Sequence, residues 1–155
     1  MIYVFDSNTL SHLFDNFYLS RFPSLWEKFD LSISDGTIIS VSEVYKEIYE
    51  HGDRLPKWTK QNKDIFQKPS PNELVLVSEI FKVPHFQSLV KRQSSLKGKP
   101  VADPFVIAKA WDINGCVVTQ EKEKPHAAKI PNVCKHFNVG CTDIEGFMER
   151  ENWTF

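Results

Sequence analysis

The segment Ile2-Tyr3-Val4-Phe5-Asp6-Ser7-Asn8 joins a short apolar run to three polar residues. An uninterrupted apolar run rich in β-branched and aromatic residues is typical of a strand buried on both faces of a sheet. Similar runs occur at residues 37–40 and 116–119. Helical patterns, in which apolar residues recur every three or four positions, separate these runs. Strands that alternate with helices predict a parallel sheet with helices on both faces.

Further elements follow from local signals. The period becomes helical from Val41, and Ser40 and Glu43 have the spacing of a capping box, which predicts a helix with Ser40 as its N-cap. Other helices are predicted to begin at Pro23 and to cover residues 72–83, 86–96, 102–112 and 143–150, and a short last strand is predicted at 139–141. Residues 55–70 give no clear pattern.

The composition predicts one globular domain, residues 1–155, because 155 residues is an ordinary domain length. An aromatic content of 13% excludes disorder as the main state. No apolar run reaches the roughly 18 residues that span a bilayer, and no secretory signal is evident, so we expect no membrane partner. Three cysteines suit a reducing, cytoplasmic location. A net charge of -1 excludes bulk charge as the means of binding nucleic acid.

Acidic residues stand at the expected carboxyl ends of the strands. Asp6 and Glu121 follow the first and third strands, Asp103 opens a helix, and Glu43 and Glu47 lie on the helix after the second strand. Ligands collect at this edge of a parallel sheet. Carboxylates that meet there repel unless a cation neutralises them, and hard oxygen ligands favour Mg²⁺ or Mn²⁺. The pattern predicts metal-assisted cleavage of a phosphoester.

Each acid also has a simpler interpretation. Asp6 could cap the first helix, Asp103 could be an acid favoured by the helix dipole, and Glu121 could lie in an exposed charged loop. Of the two helix acids, Glu47 lies closer to the edge of the apolar stripe than Glu43. We therefore prefer Glu47 as a ligand and keep Glu43 as the reserve.

Four segments together resemble the PIN domain, in particular the toxins of bacterial VapC-type toxin–antitoxin pairs. The segments are Asp6-Ser7-Asn8 after an apolar strand, Glu47-Ile48, Ala102-Asp103-Pro104-Phe105-Val106-Ile107-Ala108-Lys109-Ala110 and Gly115-Cys116-Val117-Val118-Thr119-Gln120-Glu121. The likeness covers residues 1–50 and 100–121. It implies a three-layer α/β/α fold with a central, mostly parallel sheet of four or five strands.

The resemblance also implies a function. PIN domains use Mg²⁺ or Mn²⁺ to cut RNA, so the chain would be a metal-dependent endoribonuclease and the toxin of a toxin–antitoxin pair. Its partners would be RNA, a protein antitoxin and a second copy in a homodimer. The catalytic and metal-binding residues would be Asp6, Glu47, Asp103 and Glu121, and Asn8 and Thr119 would orient them. Glu121 departs from the family, in which Asp is commoner, and the chain beyond it resembles an uncharacterised branch.

Basic residues surround the acids in the sequence. No acid occurs between His85 and Ala102, and the candidates for RNA binding are Lys91, Arg92, Lys97, Lys99 and Lys122. Such lysines could hold phosphates, or could form an ordinary solvated face. Trp58 and Phe66 lie among further lysines and could stack on bases, although aromatic residues more often belong to a core.

Two other functions compete with the nuclease. The start of a haloacid-dehalogenase-like phosphatase resembles Phe5-Asp6-Ser7-Asn8-Thr9-Leu10, with Asp6 as the nucleophile. Asn8 then stands where such an enzyme needs an acid, and Asn cannot donate that proton. The other alternative is a non-catalytic interaction module that keeps the PIN fold. None of the expected acids is missing, which argues against this module.

Overall fold

The computed structural model describes residues 1–49, 54–88 and 101–155. Five strands are found there: β1 (Tyr3–Phe5), β2 (Ile38–Val41), β3 (Phe66–Gln67), β4 (Cys116–Val118) and β5 (Gly140–Thr142). They form one sheet in the order β3-β2-β1-β4-β5, and every neighbouring pair is parallel. Tyr3 pairs with Ile38 on one side and with Cys116 on the other, so β1 is the central strand.

Helices flank the sheet. They are α1 (Ser7–Asn16), α2 (Pro23–Ser34), α3 (Ser42–Ile48), α4 (Arg54–Gln61), α5 (Pro71–Lys82), α6 (Asp103–Asp112), α7 (Ile130–His136) and α8 (Ile144–Arg150), with 3-10 turns at Lys63–Ile65 and Pro84–Phe86. The fold is a three-layer α/β/α sandwich, as predicted. Among the described residues, no helix combines the length and apolar character that a membrane crossing requires.

Aromatic residues fill the core around β1. Phe5 is fully buried, and its ring contacts Phe29 of α2 and Phe147 of α8 edge-on, with centroids 5.9 and 5.2 Å away. Trp58 and Phe66 are also buried, and Trp58 packs on Phe29. The favoured interpretation, that Trp58 and Phe66 belong to the core, is therefore confirmed, and their packed rings are not open to stacking on bases.

The start of α3 differs from the prediction. Ser40 is the third residue of β2, and its hydroxyl donates to the carbonyl of Phe5 at 2.6 Å. The N-cap residue of α3 is Val41, and no side chain caps this helix. The capping box is wrong because the strand extends one residue further than expected and uses the Ser40 hydroxyl between two strands.

A buried ion pair fixes α6 against α5. Lys109 Nζ lies 2.7 Å from Glu73 Oε1, and Glu73 is completely buried. Near one end of the same two helices, the Ser70 hydroxyl donates to Asp112 at 3.1 Å. Since α6 begins with Asp103, these contacts also set the position of that carboxylate.

Candidate active site

Asp6 stands where β1 ends and α1 begins. Its backbone N–H donates to the carbonyl of Val118, which extends the pairing of β1 with β4. One carboxylate oxygen caps α1 by accepting from the N–H of Ser7 at 2.8 Å. The other accepts from the Thr119 hydroxyl at 3.2 Å. Asp6 is only 2% exposed, so its orientation is set by the protein rather than by water.

Asn8 links α1 to the loop after β4. Its Oδ1 accepts from the backbone N–H of Gln120 at 3.0 Å, and its Nδ2 donates to Thr119 Oγ1 at 3.2 Å. Thr119 is buried and continues the pairing of β4 with β5 through Thr142. The two residues predicted to orient the ligands, Asn8 and Thr119, therefore contact each other, and Thr119 contacts Asp6.

Glu47 joins three segments at this edge of the sheet. Its Oε2 accepts from the Ser7 hydroxyl at 2.8 Å, and its Oε1 accepts from the N–H of Ala102 at 3.3 Å. Ala102 immediately precedes Asp103, which is buried at the start of α6. Glu43, in contrast, is paired with the exposed Lys46 at 3.3 Å. Of the two acids of α3, Glu47 is the one that contacts the residue next to Asp6.

Glu121 approaches from the loop after β4. Its backbone N–H donates to Thr119 Oγ1 at 3.2 Å, and its carboxylate accepts from the N–H of Ile130 at 2.8 Å. Glu121 thus holds the first residue of α7.

Negative charge is concentrated around Asp6. Burial raises the pKa of Asp6 from an ordinary 3.8 to about 7, and the charges of Glu47 and Glu121 add to this effect. The hydrogen bonds from Ser7 and Thr119 act in the opposite direction and are outweighed. Near neutral pH the carboxyl group of Asp6 is therefore partly protonated. A bound cation would favour its ionised form instead.

A cavity of about 330 Å³ opens beside Glu121 and is also lined by Cys134 and Cys141. The pKa of the Cys141 thiol is lowered, chiefly because Cys134 donates a hydrogen bond to it. Lys122, at the rim of the cavity, is exposed and contacts Asp143 at 2.8 Å. This ion pair partly neutralises the charge of Lys122 and so weakens the attraction between Lys122 and a phosphate.

The donor atoms suit a hard cation, but their spacing is not that of a ready metal site. Carboxylate, amide and hydroxyl oxygens are the ligands that Mg²⁺ and Mn²⁺ prefer. Within the described ranges, no group of three or more His, Cys, Asp or Glu side chains lies close enough to hold a metal ion. Glu47 and Glu121 instead accept from the backbone N–H groups of Ala102 and Ile130.

The structure thus brings Asp6, Asn8, Glu47, Thr119 and Glu121 to one edge of the sheet, and contacts connect Asp6 to each of the others directly or through one residue. Four residues predicted to bind RNA lie outside the described residues: Lys91, Arg92, Lys97 and Lys99.

Sequence reasoning did not identify two residues of this site. Ser7 holds Glu47, and the side chain of Gln120 accepts from the N–H of Ile144 at 3.0 Å and so fixes the loop after β4. Ser7 follows Asp6 directly in the sequence, so its position next to the site could be predicted. Its hydrogen bond to Glu47, 40 positions away, could not.

Comparison with protein families places this chain in a family. A family model described as a domain of unknown function (DUF4411) matches residues 3–155. No curated protein matches the sequence.

Proposed function

This chain belongs to the DUF4411 family, and we propose that it is a metal-dependent endoribonuclease that hydrolyses RNA phosphodiester bonds. One observation carries the proposal. Asp6 and Thr119, from the ends of neighbouring strands, bond to each other, while Ser7 and Asn8 bring in Glu47 and the loop that leads to Glu121. A parallel sheet binds ligands at this edge, and the resemblance to PIN domains leads to the same chemistry.

Asp6, Glu47, Asp103 and Glu121 would hold a divalent cation, Mg²⁺ or Mn²⁺. When bound, such an ion neutralises the phosphate charge and makes a water molecule more acidic. Glu47 and Glu121 would exchange the backbone N–H groups of Ala102 and Ile130 for the ion. Thr119 would keep Asp6 aligned, and Asn8 would keep the Gln120 backbone in place.

The proposal includes the biological role implied by the resemblance. The protein would be the toxin of a toxin–antitoxin pair, with an antitoxin that covers the acidic edge and with a possible partner in a second copy of itself. Three free cysteines, two of them buried, support a cytoplasmic location, since thiols persist in reducing compartments.

Cleavage of RNA tests the proposal. Purified protein is incubated with a mixed-sequence RNA in Mn²⁺, in Mg²⁺ and in EDTA, together with Asp103→Asn and Glu43→Gln variants. We expect cleavage with either metal by the wild type and by Glu43→Gln, because Glu43 pairs with Lys46. We expect none in EDTA and at least a hundredfold loss in Asp103→Asn. Cleavage that persists in EDTA would refute the proposal.

The phosphatase hypothesis makes a different prediction. It needs Asp6 to attack a phosphate and to carry an aspartyl-phosphate. Both oxygens of Asp6 are hydrogen-bonded and the residue is 2% exposed, which opposes such an attack. Mass spectrometry after incubation with acetyl phosphate would find a phosphoryl adduct of about 80 Da on Asp6 only if this alternative were correct.

A further inference from the structure

A polar groove runs along α1 beside the acidic residues. It has a volume of about 370 Å³, and its lining includes Ser11, His12, Asp15 and Asn16, with Asn8 and Gln120 at the end nearest Asp6. Residues 8, 11, 12 and 15 recur at helical spacing, so they form one stripe of α1, while Leu10, Leu13 and Phe14 face the core. We call this surface the α1 groove.

Two side chains of the α1 groove, those of His12 and Asn16, contact each other. Asn16 Nδ2 donates to the His12 carbonyl at 2.8 Å and lies 3.1 Å from His12 Nδ1. In this arrangement Nδ1 accepts, which leaves the Nε2–H of His12 as a donor. Ser11 Oγ is enclosed by protein and finds no hydrogen-bond partner among the described atoms. Because Ser11 Oγ is enclosed, a ligand in the groove would use the Nε2–H of His12 instead.

The charge of the lining selects the kind of ligand. The α1 groove contains one carboxylate, Asp15, and no lysine or arginine. A phosphate would be repelled there, whereas the edge of a neutral base would not. Guanine presents two adjacent N–H donors next to a carbonyl oxygen. The carboxylate of Asp15 can accept from both donors, and His12, one turn earlier on the same face, can donate to the carbonyl.

We propose that the α1 groove binds a guanine base of the substrate, with Asp15 as the residue that determines specificity. This inference rests on the proposed function, because the guanine would belong to the same RNA whose phosphate binds at the acidic residues. Asn8 and Gln120 connect the two places, because they line the groove and bond to each other next to Thr119.

Binding of nucleotides in EDTA tests this inference without any cleavage. The full chain is titrated with the 5′-monophosphates of guanosine, adenosine, cytidine and uridine, and binding is followed by ¹⁵N NMR. All four carry the same phosphate, so differences report the base. The variant is Asp15→Asn, and the matched control is Asp64→Asn, which makes the same change at another exposed position. Both sites are on the surface, so both variants should fold.

We expect guanosine monophosphate to bind at least fivefold more tightly than the adenosine form. Asp15→Asn should weaken guanosine monophosphate binding at least tenfold and change adenosine monophosphate binding by less than twofold, while Asp64→Asn should change neither. Equal binding of all four nucleotides, or guanine selectivity that survives Asp15→Asn, would overturn the inference.

A second arm separates this inference from the proposed function. Cut sites are mapped on RNA that contains all four bases. A preference for guanine at the cut site that is present in the wild type and in Asp64→Asn and is abolished in Asp15→Asn supports both proposals. Cleavage whose sites do not depend on Asp15 overturns the α1 groove alone. Absence of cleavage with intact guanine selectivity in the NMR titration rejects the nuclease and keeps the groove.

Discussion

Replacing Asp6 by Asn should stabilise the metal-free protein, and the gain should depend on pH. Asn keeps the cap on α1, since its carbonyl can accept from the Ser7 N–H. Its amide would face the Thr119 hydroxyl, which also lies 3.3 Å from Asn8 Oδ1 and can turn its proton toward that oxygen. The Thr119 oxygen already accepts from Asn8 and Glu121, so it cannot accept a third bond, and the bond between Thr119 and residue 6 is lost. In exchange, a buried charge next to Glu47 and Glu121 is removed.

The magnitude follows from the pKa of Asp6. Raising it from 3.8 to about 7 corresponds to about 4 kcal/mol, at roughly 1.4 kcal/mol per pH unit. Because the folded pKa lies above the unfolded one, the folded wild type binds more protons between pH 4 and pH 7, and its free energy of unfolding falls as pH rises through this window. Asp6→Asn lacks this loss, so the variant should gain about 4 kcal/mol relative to the wild type between pH 4 and pH 8. Near pH 4 it should be less stable than the wild type by about 1 kcal/mol, because of the lost bond to Thr119.

Urea unfolding in EDTA, measured by circular dichroism at pH 4, 6 and 8, gives the comparison. At pH 8 the melting temperature of Asp6→Asn should also be higher, by about 2–4 °C for each kcal/mol. A variant that is less stable than the wild type at pH 8, or a difference that stays constant with pH, would refute the reasoning, because the burial of charge at Asp6 would then not be unfavourable.

Three further predictions concern other parts of the structure. Thr119→Val should cost about 1–3 kcal/mol of unfolding free energy, whereas Thr119→Ser should cost less than about 1, in urea titrations; equal losses would show that the hydroxyl contacts are unimportant. Glu73→Gln should cost about 3–5 kcal/mol because it leaves Lys109 buried without its partner, while Glu79→Gln, in an exposed ion pair, should change stability by less than about 1 kcal/mol; similar values for both would contradict the role of the buried pair. Cys141 should react with iodoacetamide faster than the other two cysteines, as judged by peptide mass spectrometry, because its pKa is lowered and it is less buried; faster reaction at the buried thiols would contradict this order.

The layers of the fold could be predicted because its strands are buried on both faces. Runs such as Tyr3–Phe5 and Cys116–Val118 must be apolar throughout, so they stand out from the helices between them. Strand β3 was not predicted, since it contains only Phe66 and Gln67 and pairs with a single neighbour at the sheet edge. Helix α7 was not predicted either.

The part of the site that depends only on the order of the strands could be predicted. Asp6 and Thr119 follow neighbouring parallel strands, so their meeting required only the strand order. The orientation of the glutamates depends on local contacts that no sequence spacing encodes. Glu47 accepts hydrogen bonds from Ser7 and Ala102, and Glu121 accepts one from Ile130. These contacts set the orientation of the two carboxylates.

Binding of Mn²⁺ to the purified protein tests the central claim most directly. Free Mn²⁺ is measured by electron paramagnetic resonance during titration of the wild type and of Asp6→Asn, Glu47→Gln and Glu43→Gln variants at pH 8. The account predicts saturable binding by the wild type, an affinity at least tenfold weaker in Asp6→Asn and Glu47→Gln, and unchanged affinity in Glu43→Gln. Absence of saturable binding by the wild type, or equal affinity in all four proteins, would contradict it.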